Sequence, residues 1–444
     1  MRTLNIVVIL VTVLGTAFGQ SSATTDYAID AESHSRLPLL TREDMQNEAS
    51  VRIFDRLAGP DGEPPQGTIA AALYSPETAL ALDRIGDYLR NESTLGARLF
   101  ELLSLITARE MNLAYEWSVH ESAALQVGLE PAVIDVVRMN ESVSGLSGDD
   151  ALVIQFGRQL FRDRHVDSNT FMAMRERLGQ RGTFEAIMTL TYQTLAGVVQ
   201  RAVDQRPGVG WDPADLPAVS GVGTPFGKPA EFIELGPRPP VPADVYEDSY
   251  YRFPLLRRDD LDPLGQEIFD RMLGPDRDTA PRGPLGMTFN APELVEPVQE
   301  LNSLLRVNGV LNTRASEIVI TATGREMNSQ YQWIVHGAAA ERAGAGRQVL
   351  ETIRNDGDLS DLDARDATLI VVTRALFRGG TVRPETFTTA VDLFGIQGTV
   401  EIAELIGDYL MVTTLYNALG MRLRPDQEPT LPHRAGVPVG AEWR

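Results

Sequence analysis

Apolar residues recur along the chain at helical rather than alternating spacing. Leu99, Leu102, Leu103 and Ile106 follow i, i+3, i+4, i+7, Ile318 and Ala322 keep the same rhythm with their neighbours, and sustained alternation of period two is rare. The pattern predicts helices over 76–90, 148–162, 168–178 and 183–204, with counterparts later in the chain. Asn112 and Asn328 stand where an N-cap would start a further helix, expected over 113–127 in the first case and closed by Gly128. The expectation is an all-α fold.

The chain also resembles itself. Arg-Glu-Met-Asn occurs at 109–112 and again at 325–328, an offset of 216, and Tyr115, Trp117, Val119, His120, Ala123 and Gly128 return as Tyr331, Trp333, Val335, His336, Ala339 and Gly344. Arg98 and Arg314, Glu101 and Glu317, and Asp150-Ala151 and Asp366-Ala367 keep the same register. A whole-domain duplication follows, with repeats over 37–205 and 253–424. Between them, residues 207–242 contain nine prolines and six glycines, so 206–252 reads as an extended linker between separate folding units. Residues 425–444 read as a tail.

At the N-terminus, Arg2 precedes a nearly unbroken apolar run from Ile6 to Phe18 that ends in small residues at the cleavage-determining positions. This is the pattern of a secretory signal peptide over 1–19, shorter than a membrane span and followed by a flexible leader over 20–36. An exported, periplasmic or extracellular protein is expected, free of the membrane after cleavage.

Composition narrows the chemistry. The 444 residues carry 40 Lys and Arg against 61 Asp and Glu, a net charge of -21 that repels phosphate backbones, so nucleic acid is not an expected partner. Cysteine is absent, which removes thiol nucleophiles, disulfides and thiolate metal sites together. Catalysis would rest on oxygen and nitrogen groups.

Of five histidines, only His120 and His336 recur between the repeats. Glu101 and Glu317 precede them by 19 residues, each on the previous arm of a helical hairpin, so each carboxylate comes level with a ring and orients it for proton transfer. The competing reading is a buried structural hydrogen bond. Glu116 lies one turn before His120 and on its face; the equivalent Gln332 cannot carry charge, so a metal site using both residues would exist in one repeat only, and no metal or cofactor is expected. Arg98 and Arg314 are candidate substrate-binding cations, with Arg109 and Arg325 further candidates that read first as structural. Trp117 and Trp333 are candidate core anchors or stacking surfaces.

The run Pro-Glu, Leu-Arg, a Glu-bearing helix, then Glu/Gln-Trp-x-x-His-x-x-Ala-x-x-x-Gly resembles the carboxymuconolactone decarboxylase family and its alkylhydroperoxidase D-like relatives, over nearly all of both repeats. The second repeat follows the pattern more closely, in Pro292-Glu293, Leu305-Arg306 and 317–344, and so is expected to hold the more active site. The resemblance implies two tandem helical domains forming a pseudo-dimer that assembles into a homo-oligomer. In the peroxidase branch, two cysteines would fall on Leu113 and Glu116, and on Ser329 and Gln332; all four positions lack them, so thiol peroxidase activity is not expected, whereas the Glu and His survive. The nearer implication is cofactor-independent decarboxylation or isomerisation of a small organic acid, lactone or carbonyl compound, with a non-catalytic binding or assembly module as the alternative.

Overall fold

A computed structural model describes residues 27–219, 222 and 231–443. The expected signal peptide lies outside the described residues, as does residue 444. Helix accounts for 62% of the structure and strand for 1%, so the all-α expectation holds. Among the described residues no helix is long and apolar enough to cross a membrane.

The first repeat runs α1 (Glu48–Leu57), α2 (Gly67–Ala72), α3 (Pro76–Asp87), α4 (Ala97–Met111), α5 (Ala114–Gln126), α6 (Pro131–Arg138), α7 (Gly148–Asp163) and α8 (Ser168–Ala202). The second runs α9 (Pro263–Leu273), α10 (Pro284–Thr288), α11 (Val295–Ser303), α12 (Thr313–Glu326), α13 (Gln330–Gln332), α14 (Ala338–Arg342), α15 (Arg347–Arg354), α16 (Ala364–Arg378) and α17 (Pro384–Ala418). The expected break between 178 and 183 is a kink: Gly179 (φ 71°) and Gly395 (φ 74°) let α8 and α17 change direction at equivalent points. A π-turn follows α3 and α11 alike, at Tyr88–Glu92 and Leu304–Asn308. One difference bears on the site: α5 is continuous, whereas its counterpart passes through a π segment at Trp333–Gly337.

Asn112 and Asn328 do not cap the helices that follow them. Both adopt the left-handed conformation (φ 57° and 54°) that asparagine tolerates, reversing the chain between the hairpin arms, and their side-chain oxygens accept from Arg109 and Arg325. The caps fall one residue later, where Leu113 supplies no side-chain bond and the Ser329 hydroxyl accepts from the Gln332 amide at 3.2 Å. Gly128 (φ 83°) does stand just past the end of α5.

The repeats are not separate folding units. One continuous cluster of buried apolar side chains runs through both, and α8 packs against α17 so closely that a Cβ on Gly407 would stand 3.0 Å from the Leu195 Cα. Helices α3 and α11 also meet, with Arg84 paired to Glu300, its own counterpart at the 216 offset, at 2.5 Å. Ser75 and Thr78 donate at 3.0 Å to Glu401 and Glu404. Each repeat also lends an N-terminal arginine to the other's kinked helix: Arg36 lies over the Phe387 ring at 5.4 Å and Arg252 over Phe171 at 4.9 Å.

Those arginines correct the sequence boundaries. Of the leader, Ser33, Ser35 and Arg36 are buried, and Tyr27 stands edge-on to Phe387 at 5.2 Å. Within the linker, Leu216 is buried, the Pro217 carbonyl accepts from Arg109 at 2.8 Å, and Ser249, Tyr251 and Arg252 are buried. The tail repeats this arrangement: the Pro432 carbonyl accepts from Arg325 at 2.7 Å. Strands β1 (Phe232–Ile233) and β2 (His433–Arg434) then pair linker and tail antiparallel. The proline and glycine content conceals these segments because they pack through single side chains and carbonyls rather than through a periodic face.

Candidate functional site

The hairpin of α4 and α5 brings Glu101 beside His120, as the 19-residue spacing predicts. The ring Nδ1 lies 2.6 Å from a Glu101 oxygen, and the same pairing recurs between His336 and Glu317 at 2.8 Å. Glu101, Glu317, His120 and His336 are all buried.

Beyond this shared pair the repeats diverge. In the first, Glu116 stands 2.9 Å from Nε2 of His120, so the imidazole bridges two carboxylates. Gln200 donates to Glu116 and, at 2.8 Å, to the Thr68 hydroxyl; the Gln193 carboxamide lies 3.2 Å from Nε2 and donates to Ser104 at 2.9 Å. In the second repeat Gln193 is replaced by Tyr409, whose ring meets His336 edge-on at 4.9 Å, and Gln332 turns to Thr413 at 3.4 Å instead of to the ring. With both ring nitrogens engaged by carboxylates, His120 has no lone pair left for a metal, and the described residues hold no group of three or more side chains suited to one.

The two imidazoles therefore differ in charge. Burial opposes the cation at both. At His120 the hydrogen bonds and charges of Glu101 and Glu116 together outweigh it and raise the ring to about 9. At His336 burial prevails over the single carboxylate Glu317, with Arg306 adding to the depression, and the ring falls below the usual histidine range. The Glu116 carboxyl, despite burial, is held low by His120 and Gln200. His120 should thus give imidazolium signals in ¹H–¹⁵N correlation spectra at pH 7, and His336 neutral ones. Because its folded pKa is raised, the stability that the His120 cation contributes is complete below the unfolded value of about 6.5 and is lost as pH rises toward 9. Two neutral rings at pH 7 would overturn this assignment.

A cavity of about 290 Å³ opens beside His120, between α2, α3, α5 and α8. Phe100, Tyr115, Val119 and Tyr192 supply its apolar surface, and Asp83, Asp87, Arg90, Glu116 and Gln193 its polar groups. Gly67 (φ 60°) shapes one edge: a Cβ there would meet the Tyr115 hydroxyl at 2.6 Å, so the chain passes the phenol only as glycine. This pocket belongs to the first repeat.

The remaining sequence candidates lie elsewhere. Arg98 and Arg314 are clamped by both oxygens of Asp150 and of Asp366, at 2.8 and 3.1 Å and at 2.6 and 2.6 Å, and neither guanidinium reaches its histidine. The cations that do belong are Arg90, 3.4 Å from Glu101 and over the Phe100 ring at 4.9 Å, and Arg306, 2.6 Å from Glu317. Sequence could have found these two, since Leu89-Arg90 and Leu305-Arg306 recur at the same offset. Trp117 is fully buried, its indole N–H on Glu121 at 2.8 Å, and Trp333 donates to Thr430 at 3.2 Å; both anchor helices rather than face the cavity. Arg109 and Arg325 hold chain carbonyls, as the structural reading expected. Gln193, Gln200 and Thr68 left no signal, because their counterparts Tyr409, Tyr416 and Pro284 are different residue types. Neither a family model nor a curated protein matches this chain.

Proposed function

We propose that this chain is a cofactor-independent acid-base enzyme working in the first-repeat pocket, on a small carbonyl compound, lactone or organic acid. The observation that carries the reading is the row Glu101, His120, Glu116, which ends at an open cavity. The imidazolium proton on Nε2 can pass to Glu116, and Glu116 can hand it to an enolate carbon or oxygen; in reverse, the Glu116 carboxylate takes a proton from the carbon beside a carbonyl, leaving the electron pair in the enolate. Proton return to a neighbouring atom completes an isomerisation. If carbon dioxide leaves instead, the enolate keeps the electrons of the broken carbon-carbon bond and the row supplies the proton. Glu101 balances the charge from behind.

This is the chemistry implied by the resemblance to carboxymuconolactone decarboxylases, with Glu116 at the position of the second peroxidase-branch cysteine. The axis pair Arg84 and Glu300 and the reciprocal Arg36–Phe387 and Arg252–Phe171 contacts support reading the chain as a pseudo-dimer, as expected when a self-associating domain is duplicated and fused. The second repeat then serves chiefly as a structural partner, a reading favoured by the Tyr409 ring against His336. Export, on the strength of the leader sequence, and further homo-oligomerisation belong to the same proposal.

The test is proton exchange itself. Small ketones, lactones and keto acids incubated with the protein in D₂O and followed by ¹H NMR should include compounds that lose the signal of the proton beside the carbonyl faster than in buffer. No acceleration with any carbonyl class at neutral pH would reject the reading.

A further inference from the structure

The duplication lets the chain serve as its own comparison. Arg90, Tyr115, Val119 and His120 at the pocket have identical counterparts in Arg306, Tyr331, Val335 and His336. The first repeat departs from this shared frame by acquiring carboxylates: Asp83 where the second has Gln299, Asp87 where it has Ser303, and Glu116 where it has Gln332. One exchange runs the other way, Tyr192 against Asp408, but Asp408 is buried and accepts from Asn302 at 2.9 Å. The added acids lie on two elements, α3 and α5, that both line the cavity.

The charges do not cancel within the pocket. The His120 cation is already spanned by two carboxylates, and Arg90 is drawn toward Glu101 and lies over Phe100. Arg56 approaches Asp83 only to 3.8 Å, and Asp87 accepts from the neutral Asn91 at 2.7 Å. The wall formed by α3 is therefore anionic, on a chain whose net charge of -21 repels anions and draws cations at long range. The Phe100 ring is already covered by Arg90, and Tyr115 and Tyr192 supply the further aromatic lining suited to an organic cation.

We propose that the pocket is selective for a small substrate bearing an ammonium group, which Asp83 and Asp87 hold while the reacting carbon faces Glu116. The inference rests on the reading of this pocket as the acid-base site, and it names the substrate class: an amino-substituted carbonyl compound rather than a simple carboxylic acid. In support, burial pushes the Asp83 carboxyl up, Arg56 pulls it down and Asp87 pushes it up again, so a bound cation between the two acids would relieve their repulsion.

Isothermal titration of the full chain with phenethylamine and with 3-phenylpropionate, matched probes of opposite charge, tests the selectivity. The amine is expected to bind with an affinity that falls as salt rises, and the carboxylate is expected not to bind. The double variant D83Q/D87S, which installs the residues of the second repeat, is expected to weaken amine binding about ten-fold, as loss of two partly exposed ion pairs implies. If that variant does not fold, D87S alone at an exposed position and the salt dependence of the wild-type protein carry the test. Carboxylate binding as tight as amine binding, no amine binding, or amine binding indifferent to salt and to these substitutions overturns the proposal. Because the readout is binding, amine selectivity without deuterium exchange would leave the ammonium preference of the pocket standing but reject the proton-transfer reading and with it the amine as substrate, whereas exchange without amine selectivity would reject the preference alone.

Discussion

Replacing Glu116 by glutamine is expected to slow proton exchange by about 10²- to 10⁴-fold, the usual contribution of a positioned acid or base, with the fold retained. The substitution installs what the second repeat carries at the same place, where Gln332 is buried on the equivalent helix face, so a folded outcome has a precedent within the molecule. Glutamine can still meet the His120 ring but cannot carry the proton onward. The conservative E116D variant, with its carboxylate withdrawn by one methylene, should recover part of the rate, and H120N should resemble E116Q. The pH profile separates roles: losing Glu116 removes one of the two carboxylates that raise His120 against burial, so the imidazole signal should titrate at lower pH in E116Q. A glutamine variant with wild-type exchange and an altered ring titration would make Glu116 a structural partner only. In the second repeat, His336→Ala should leave exchange intact, because the Tyr409 ring lies against His336 and Gln332, in the position of Glu116, turns to Thr413 and cannot carry a proton.

What could be read from sequence divides by distance along the chain. The His120 and Glu101 pair was legible because one reversal joins it: two helices meeting at a turn place residues about 19 apart at one level, and repetition of the pair marked it out from the other histidines. Arg98 and Arg314 misled because the acids that hold them lie 52 residues on, across a helix packing that periodicity does not specify. The difference between the two histidine sites was not legible either. It depends on Gln193 against Tyr409 and Glu116 against Gln332, single exchanges whose meaning appears only when α8 and α17 are laid beside the rings. The kinks at Gly179 and Gly395 were visible as breaks in the pattern, but a break does not say whether the chain bends or ends.

The four-residue match that first exposed the duplication turns out to hold the fold together, and Glu326→Ala should show how firmly. Glu326 accepts from Arg378 at 2.5 and 2.9 Å and from Arg434 of strand β2 at 3.0 and 3.1 Å, and Arg434 is buried with Asp356 at 2.5 Å as its other acid. Without Glu326, Arg378 and Arg434 would be left to Asp356, which Arg374 also approaches at 3.7 Å, and Arg434 has almost no access to water. Removing one partner from such a buried network typically costs about 3–5 kcal/mol. The equivalent Glu110→Ala should cost less, about 1–3 kcal/mol, because Glu110 is paired with Arg162, whose side chain is 31% exposed and can regain solvent. Urea denaturation of both variants, followed by circular dichroism, measures the difference, and tryptophan fluorescence should report release of the tail, since Trp443 lies against Arg238 at 5.5 Å. Equal losses in the two variants would mean that Arg434 contributes nothing beyond the shared arginine, and that the tail is held by its other contacts, such as the Pro432 carbonyl on Arg325 and the β1 and β2 pairing.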